Sequence, residues 1–212
     1  MSEIRNPVPS DVAFTSAVKA AQTRRNSRAA YARMEDHGSW PVDLSPDLVR
    51  FIESRKSAFL GTASADGQPY IQHRGGPAGF LKVLDPRTVA FADYAGNRQY
   101  ITIGNLSENP KAHLFLIDYD LRQRVKLWGR VLVVEGDRDL IARLSPPDYR
   151  ARIERAMLFT VETWDVNCPQ HIPHLVEPEP LRAAIAERDL KIAALERDIE
   201  ELKRRGDRPV QE

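Results

Sequence analysis

The chain has 212 residues, with 31 lysines and arginines against 30 acidic residues and a formal net charge of +1. That length suits one domain with extensions, and the balanced charge excludes a global pull toward nucleic acid or an anionic membrane, so any anion site must be local. A single cysteine, Cys168, excludes an internal disulfide framework and a cysteine zinc cluster. The opening Met-Ser-Glu-Ile-Arg-Asn-Pro carries no apolar leader, and no run approaches the roughly 18 apolar residues that span a bilayer. The expectation is a cytoplasmic protein with no membrane and no nucleic-acid partner.

Ser10 and Asp11 can cap helical sequence over 11–34, as one helix or two, with Phe14, Val18, Ala21, Ala29 and Ala30 recurring at helical spacing. Arg24, Arg25, Arg28 and Arg33 read as its solvated face. Gly38 to Pro41 breaks the pattern, and Ser45-Pro46-Asp47 opens a second helix over 45–55 whose apolar side is Leu48, Val49, Phe51 and Ile52.

From Ser57 the period becomes that of strands. Phe59–Ala63 and Pro69–His73 flank Asp66-Gly67, a hairpin signal, and further strands follow at Phe80–Leu84 and Val89–Asp93. Four strands in so short a span leave no room for βαβ crossovers, so an antiparallel meander closing toward a barrel is expected, and a Rossmann fold is not. Between the second and third strands, Gly75, Gly76 and Gly79 lie among His73, Arg74 and Lys82. Bare amides beside fixed cations suit an anion cradle; a glycine-rich hairpin with solvated charges is the competing reading.

Residues 97–109 read as a loop and a short helix, with Asn97 and Arg98 at the amino-terminal end, where unsatisfied N–H groups favour phosphate. Strands follow at His113–Asp118 and Arg124–Val134. The alternation in the second sets Arg124, Lys126, Trp128 and Arg130 on one face and Val125, Leu127, Gly129 and Val131 on the other. After the Pro146-Pro147 break a helix is expected near 148–155, then a strand over Ala156–Trp164 and a polar loop through Asn167-Cys168-Pro169-Gln170-His171 to His174. Cys168 and His171 lack a second pair of ligands, so no metal site is expected, and Cys168 is weighed as a nucleophile. The tail from Pro180 to Arg205 is a helix in which Leu181, Ile185, Ile192, Leu195, Ile199 and Leu202 form a heptad seam interrupted by Arg188. Such a seam wants a partner, either its symmetry mate or the body of the protein.

On Phe80–Asp85, Phe91–Gln99, Asn109–Ala112 and Arg124–Gly129, the chain resembles the pyridoxamine 5′-phosphate oxidase-like, FMN-binding split-barrel family, as a flavoprotein branch distinct from the vitamin oxidase itself. Lys82 matches the lysine of the family's Leu-Leu-Lys, which holds flavin phosphate. Asn97-Arg98-Gln99 matches its Ser-Arg-Lys, so Arg98 carries over and Gln99 departs. Arg124 stands where the family has a glutamine near the flavin ring, and Asp93 where a strand end meets the flavin. Arg74 resembles the arginine opening Arg-x-x-Leu-Leu-Lys, with three extra residues before Lys82. The oxidases' terminal Arg-Leu-Ala-Pro is absent.

The resemblance implies an α+β, mainly β fold: an antiparallel split β-barrel with flanking helices and a long C-terminal helix. The expected organisation is an N-terminal helical extension over 1–44, an FMN-binding domain over 45–175 and the heptad helix over 176–212. The implied protein is a homodimer with its flavin at the subunit interface, acting as an FMN-dependent oxidoreductase on a small-molecule substrate. Expected cofactor residues are His73, Arg74, Gly75, Gly76, Lys82, Asp93, Asn97, Arg98, Gln99 and Arg124, a cation at Arg124 or Lys126 favouring reduced flavin. His73 and His171 are candidates for proton transfer or for structural hydrogen bonding. The alternatives are a non-enzymatic flavin-binding or regulatory protein, or a barrel holding a deazaflavin or haem, the latter with His73, His171 or His174 as axial ligand.

Overall fold

Asp66-Gly67 sits where two strand-forming runs must reverse, and Gly67 takes the left-handed φ of 92° that a side chain would resist. In the computed structural model, which describes residues 6–167, 169–176 and 178–206, this turn joins β1 (Ser57–Ala63) to β2 (Pro69–Gly75), with Leu60 opposite Gln72. The meander continues through β3 (Leu81–Asp85), β4 (Thr88–Tyr94), β5 (Lys111–Asp118), β6 (Gln123–Val134) and β7 (Ile153–Asn167). All seven strands form one antiparallel sheet in the order β2-β1-β5-β6-β7-β4-β3. Its edge strands, β2 and β3, are consecutive in sequence. Arg74 on β2 forms an ion pair with Asp93 on β4, so the first and sixth strands meet and the sheet must curl on itself. Side chains, not a β2–β3 ladder, close that gap, as a split barrel requires.

Alternation decides what fills the inside. Leu60, Leu114, Leu116, Val125, Leu127, Met157, Phe159 and Val161 are fully buried, and each apolar side chain so removed from water contributes about 1.5–3 kcal/mol. The helix expected over 45–55 is Pro46–Ser54. Ser45 Oγ caps it by accepting from the Leu48 amide at 3.3 Å, and Leu48, Phe51 and Ile52 enter the core. At Gly129 the β6–β7 register shifts, and a Cβ there would stand 2.1 Å from the Thr160 carbonyl oxygen, so only glycine fits the bulge.

The N-terminal sequence forms two helices, α1 (Ser16–Arg24) and α2 (Arg28–Asp36), separated where Asn26 takes φ 59°. Within the cluster expected to be solvated, Arg28 pairs with the buried Glu35 and donates to Gln22. The segment that follows lies on the outer face of the sheet. Trp40 stacks on Trp128 at 5.0 Å, Thr163 Oγ1 donates to the Pro41 carbonyl at 2.8 Å, and Trp164 Nε1 donates to that of Asp43 at 3.1 Å. With Pro46–Ser54 as α3, the next helix is α4 (Ile101–Glu108), then α5 (Arg138–Leu144).

The helix expected near 148–155 does not form there. Asp137 instead caps α5 upstream, accepting from the Leu140 amide at 2.9 Å, and β7 begins at Ile153, which pairs with Tyr94 of β4, before β6 joins on the other flank at Ala156. Pairing with β4 overrides the local helix preference of Ile153–Arg155.

The chain divides into two units, all of the above falling in Met1–Asp118 with Gln123–Gln170. In the second unit, Tyr119–Arg122 is tied to residues 171–175: Arg122 Nε donates to the Ile172 carbonyl at 3.2 Å, and His174 meets Asp120 at 3.0 Å. This unit continues into α6 (Pro178–Gly206), which contains the predicted heptad helix. Among the described residues no helix is long and apolar enough to cross a membrane, and no group of three or more His, Cys, Asp or Glu could hold a metal ion.

Candidate functional site

The alternation of β2 sends Gln72 and Arg74 inward at the open edge of the barrel, and that of β4 brings Asp93 to meet them. Asp93 is 6% exposed and accepts from two guanidiniums: Arg74, and Arg155 at 3.2 Å. Arg155 is its direct cross-strand neighbour on β7. Arg155 also meets Glu135 at 3.1 Å and Glu154 at 3.2 Å, and it lies 5.4 Å from the Tyr100 ring centre. Arg74 is anchored at one end only, because its Nε is buried and has no hydrogen-bond partner among the described residues.

Two adjoining hollows share Gln72, Arg74 and Tyr94. One is lined by Asp93, Asn97, Arg98, Gln99 and the start of α4; the other by His73, Gly75, Phe80 and Ala92. Around the first, Arg74, Arg98 and Arg155 face Asp93 and Glu154, so cations outnumber carboxylates locally although the whole chain is nearly neutral.

Helix α4 is held in place by buried polar contacts. Thr102 Oγ1 donates to Gln72 Oε1 at 2.7 Å and Asn105 Nδ2 to Thr62 Oγ1 at 3.0 Å. Its cap residue, Tyr100, is left-handed (φ 54°) and makes no side-chain capping bond, and the first turn carries no acidic residue. The orphan amides of that turn and the helix dipole therefore face the groove without an internal anion. Arg98, also left-handed (φ 62°), places its Nε 3.3 Å from the Tyr100 hydroxyl. The Tyr94 hydroxyl is buried without a partner among the described residues. Burial first, and the neighbouring Tyr149 second, raise its pKa above the ordinary tyrosine value, so it stays protonated and able to donate.

Of the residues expected from sequence, Arg74, Asp93, Asn97, Arg98 and Gln99 line the first hollow, and His73, Arg74 and Gly75 the second. His73 Nε2 lies 2.8 Å from Ser57 Oγ and its ring is edge-on to Phe59, so it already serves as a structural hydrogen-bonder. The Gly76 and Gly79 amides do not form the expected cradle, because they donate to the Lys56 and Glu53 carbonyls at 3.1 and 2.7 Å. Gly76 has a packing reason instead: a Cβ would stand 2.7 Å from that of Phe80. Lys82 is opposite Ala90 on β4, one residue pair along the same face from the pocket residue Ala92. Arg124 lines neither hollow and shares the β6 face of Lys126 and Trp128. His171 belongs to the second unit, where it takes φ 64°, and Cys168 lies outside the described residues. Sequence reasoning missed Gln72, Tyr94, Tyr100 and Arg155. Only the strand register, which sets Arg155 opposite Asp93, singles out the last.

The family description "Pyridoxamine 5′-phosphate oxidase" matches residues 44–174. No curated protein matches the chain. Among solved structures, the chain is similar to an FMN-binding protein from Syntrophomonas wolfei subsp. wolfei, with 14% identity, 73% of this chain and 99% of that one covered, and a TM-score of 0.43. A Clostridium acetobutylicum protein related to general stress protein 26 of B. subtilis (pyridoxinephosphate oxidase family) shows 18% identity over 61% of this chain and 91% of that one, at TM-score 0.43. An F420 reductase shows 17% identity over 54% and 93%, at 0.40. Through the match over residues 44–174, which takes in every strand of the sheet, the chain belongs to the pyridoxamine 5′-phosphate oxidase family of split-barrel proteins.

Proposed function

We propose that this protein binds FMN in the joined hollows at the open edge of the barrel and works as an FMN-dependent oxidoreductase on a small molecule. The observation that carries the reading is the buried, unpartnered Nε of Arg74 beside the uncapped start of α4. A donor left without a partner in a buried place costs about 1–3 kcal/mol, and an anionic oxygen arriving there would recover it. The residues present therefore fit the phosphate of a flavin nucleotide. Arg74, Arg98 and the first-turn amides of α4 would hold that phosphate, with Asn97 and Gln99 beside it and Lys82 reaching in from β3. The second hollow, with Phe80, Ala92 and Tyr94, offers apolar walls and one hydroxyl donor for a ring system.

FMN, when bound, supplies the hydride and electron transfer. The chain's own residues bind, orient and exclude water. Asp93 has a positioning role, fixing the guanidiniums of Arg74 and Arg155 at the mouth of the groove. His73, beside the second hollow, is the candidate for proton exchange, its imidazole carrying one donor and one acceptor nitrogen. As in the family reading, the working unit is taken to be a homodimer with the flavin at the subunit interface.

The test is the anaerobic visible spectrum of purified protein given FMN and then NADH or NADPH. A protein-shifted flavin band that one nicotinamide bleaches is expected. A flavin band that neither donor bleaches would reject nicotinamide-coupled reduction, and a Soret band without flavin would reject FMN.

A further inference from the structure

In the described helix α6, the six apolar side chains Leu181, Ile185, Ile192, Leu195, Ile199 and Leu202 are between 48% and 64% exposed. They fall on a and d positions of one heptad frame: Ile185, Ile192 and Ile199 at a; Leu181, Leu195 and Leu202 at d, with Arg188 at the remaining d. The division by residue type is informative. β-Branched isoleucine at a with leucine at d favours two parallel strands, because each shape packs well in only one of the two layer geometries. We infer that α6 pairs with the α6 of a second copy of this chain as a parallel, in-register coiled coil.

Flanking charges support the same orientation. In a parallel pair, each g residue faces the e residue five positions on in the other helix. That sets Lys191 against Glu196 and Asp198 against Lys203 of the second copy, opposite charges in both cases, each occurring twice by symmetry. The antiparallel arrangement that sets Ile192 against Leu195 would bring Asp189 to Glu196 and Arg182 to Lys203. Those are like charges, and they outnumber the one opposite-charge pairing there, Lys191 with Asp198, so the balance selects against the arrangement. Arg188, the one d position without an apolar side chain, meets its own copy in the in-register pair, so that single layer is weakened and both guanidiniums reach out to solvent along their apolar stems. The inference needs no flavin and stands apart from the oxidoreductase reading.

Disulfide trapping in the full-length chain tests it. With Cys168→Ser as background, Leu195→Cys puts a thiol in the seam and Arg197→Cys one on the outer side of the same turn. Under a mild thiol–disulfide buffer, Leu195→Cys is expected to give several-fold more cross-linked dimer than Arg197→Cys. Adding Lys191→Glu to Leu195→Cys should lower that yield, and adding Glu196→Lys as well should restore it. Equal yields at 195 and 197 would overturn the proposal, as would rescue by Asp198→Lys in place of Glu196→Lys, the signature of antiparallel pairing. An unchanged thermal unfolding midpoint across the set excludes loss of fold as the cause.

Discussion

Replacing Asp93 by alanine removes the carboxylate that two inward-facing arginines share. Arg155 keeps Glu154 and Glu135 at 3.2 and 3.1 Å, whereas Arg74, only 12% exposed along its side chain, loses its ion partner. Stranding a buried charge in this way costs about 3–5 kcal/mol. Tryptophan fluorescence during urea unfolding, without added flavin, reads the loss. At about 2–3 kcal/mol per molar urea, the midpoint should fall by about 1–2 M. Adding Arg74→Met removes the stranded charge and should recover about half of the loss, a coupling of about 2 kcal/mol. A single-variant cost under about 1 kcal/mol, or strict additivity of the two changes, would refute the view that this ion triad closes the barrel edge.

Arg98→Ala with Lys82→Ala should abolish FMN retention through dialysis while leaving the unfolding free energy within about 1 kcal/mol of the parent, since Arg98 is exposed and Lys82 only half-buried. Full retention of flavin would remove both residues from the phosphate site. Gly129→Ala drives a methyl group into the Thr160 carbonyl and should cost about 3 kcal/mol or more, read as a loss of soluble folded protein or a large fall in melting temperature. Burial, with a smaller contribution from Lys126, pushes the His113 pKa down to about 4. The unfolded chain, with an ordinary pKa near 6.5, then binds more protons between those values. Stability present above pH 6.5 is therefore lost as pH falls toward 4, by about 2–3 kcal/mol from this residue. His113→Phe should flatten that part of the pH–stability curve, and an unchanged curve would refute the assignment.

The strand meander was legible because its turns are written locally: Asp66-Gly67 and Asp85-Pro86 stand between runs of opposite-facing residues, and the first six strands follow within two residues of expectation, while the seventh runs three residues further at each end. The heptad tail was legible for the same reason. What escaped were features fixed by pairing at a distance. Arg150–Arg155 carries good helix formers, yet pairing with β4 makes its second half strand, and Arg155 thereby comes to face Asp93. The three-glycine stretch looked like a set of free amides; two of them are taken up by the Lys56 and Glu53 carbonyls, a contact between residues more than 15 positions apart that local spacing does not encode. Arg98 was found from its motif, whereas the neighbouring Tyr100 and the partnerless Arg74 Nε become visible only once the edge strands meet.

The central claim is that the groove at Arg74, Arg98 and the start of α4 recognises a phosphate. Titrating the flavin-free protein with FMN and with riboflavin by fluorescence quenching tests this most directly, because the two differ only in that group. Two charge-assisted contacts at about 1.5–3 kcal/mol each predict that FMN binds about 10²–10⁴-fold tighter. Equal affinities for FMN and riboflavin, or no binding of either, would contradict the account.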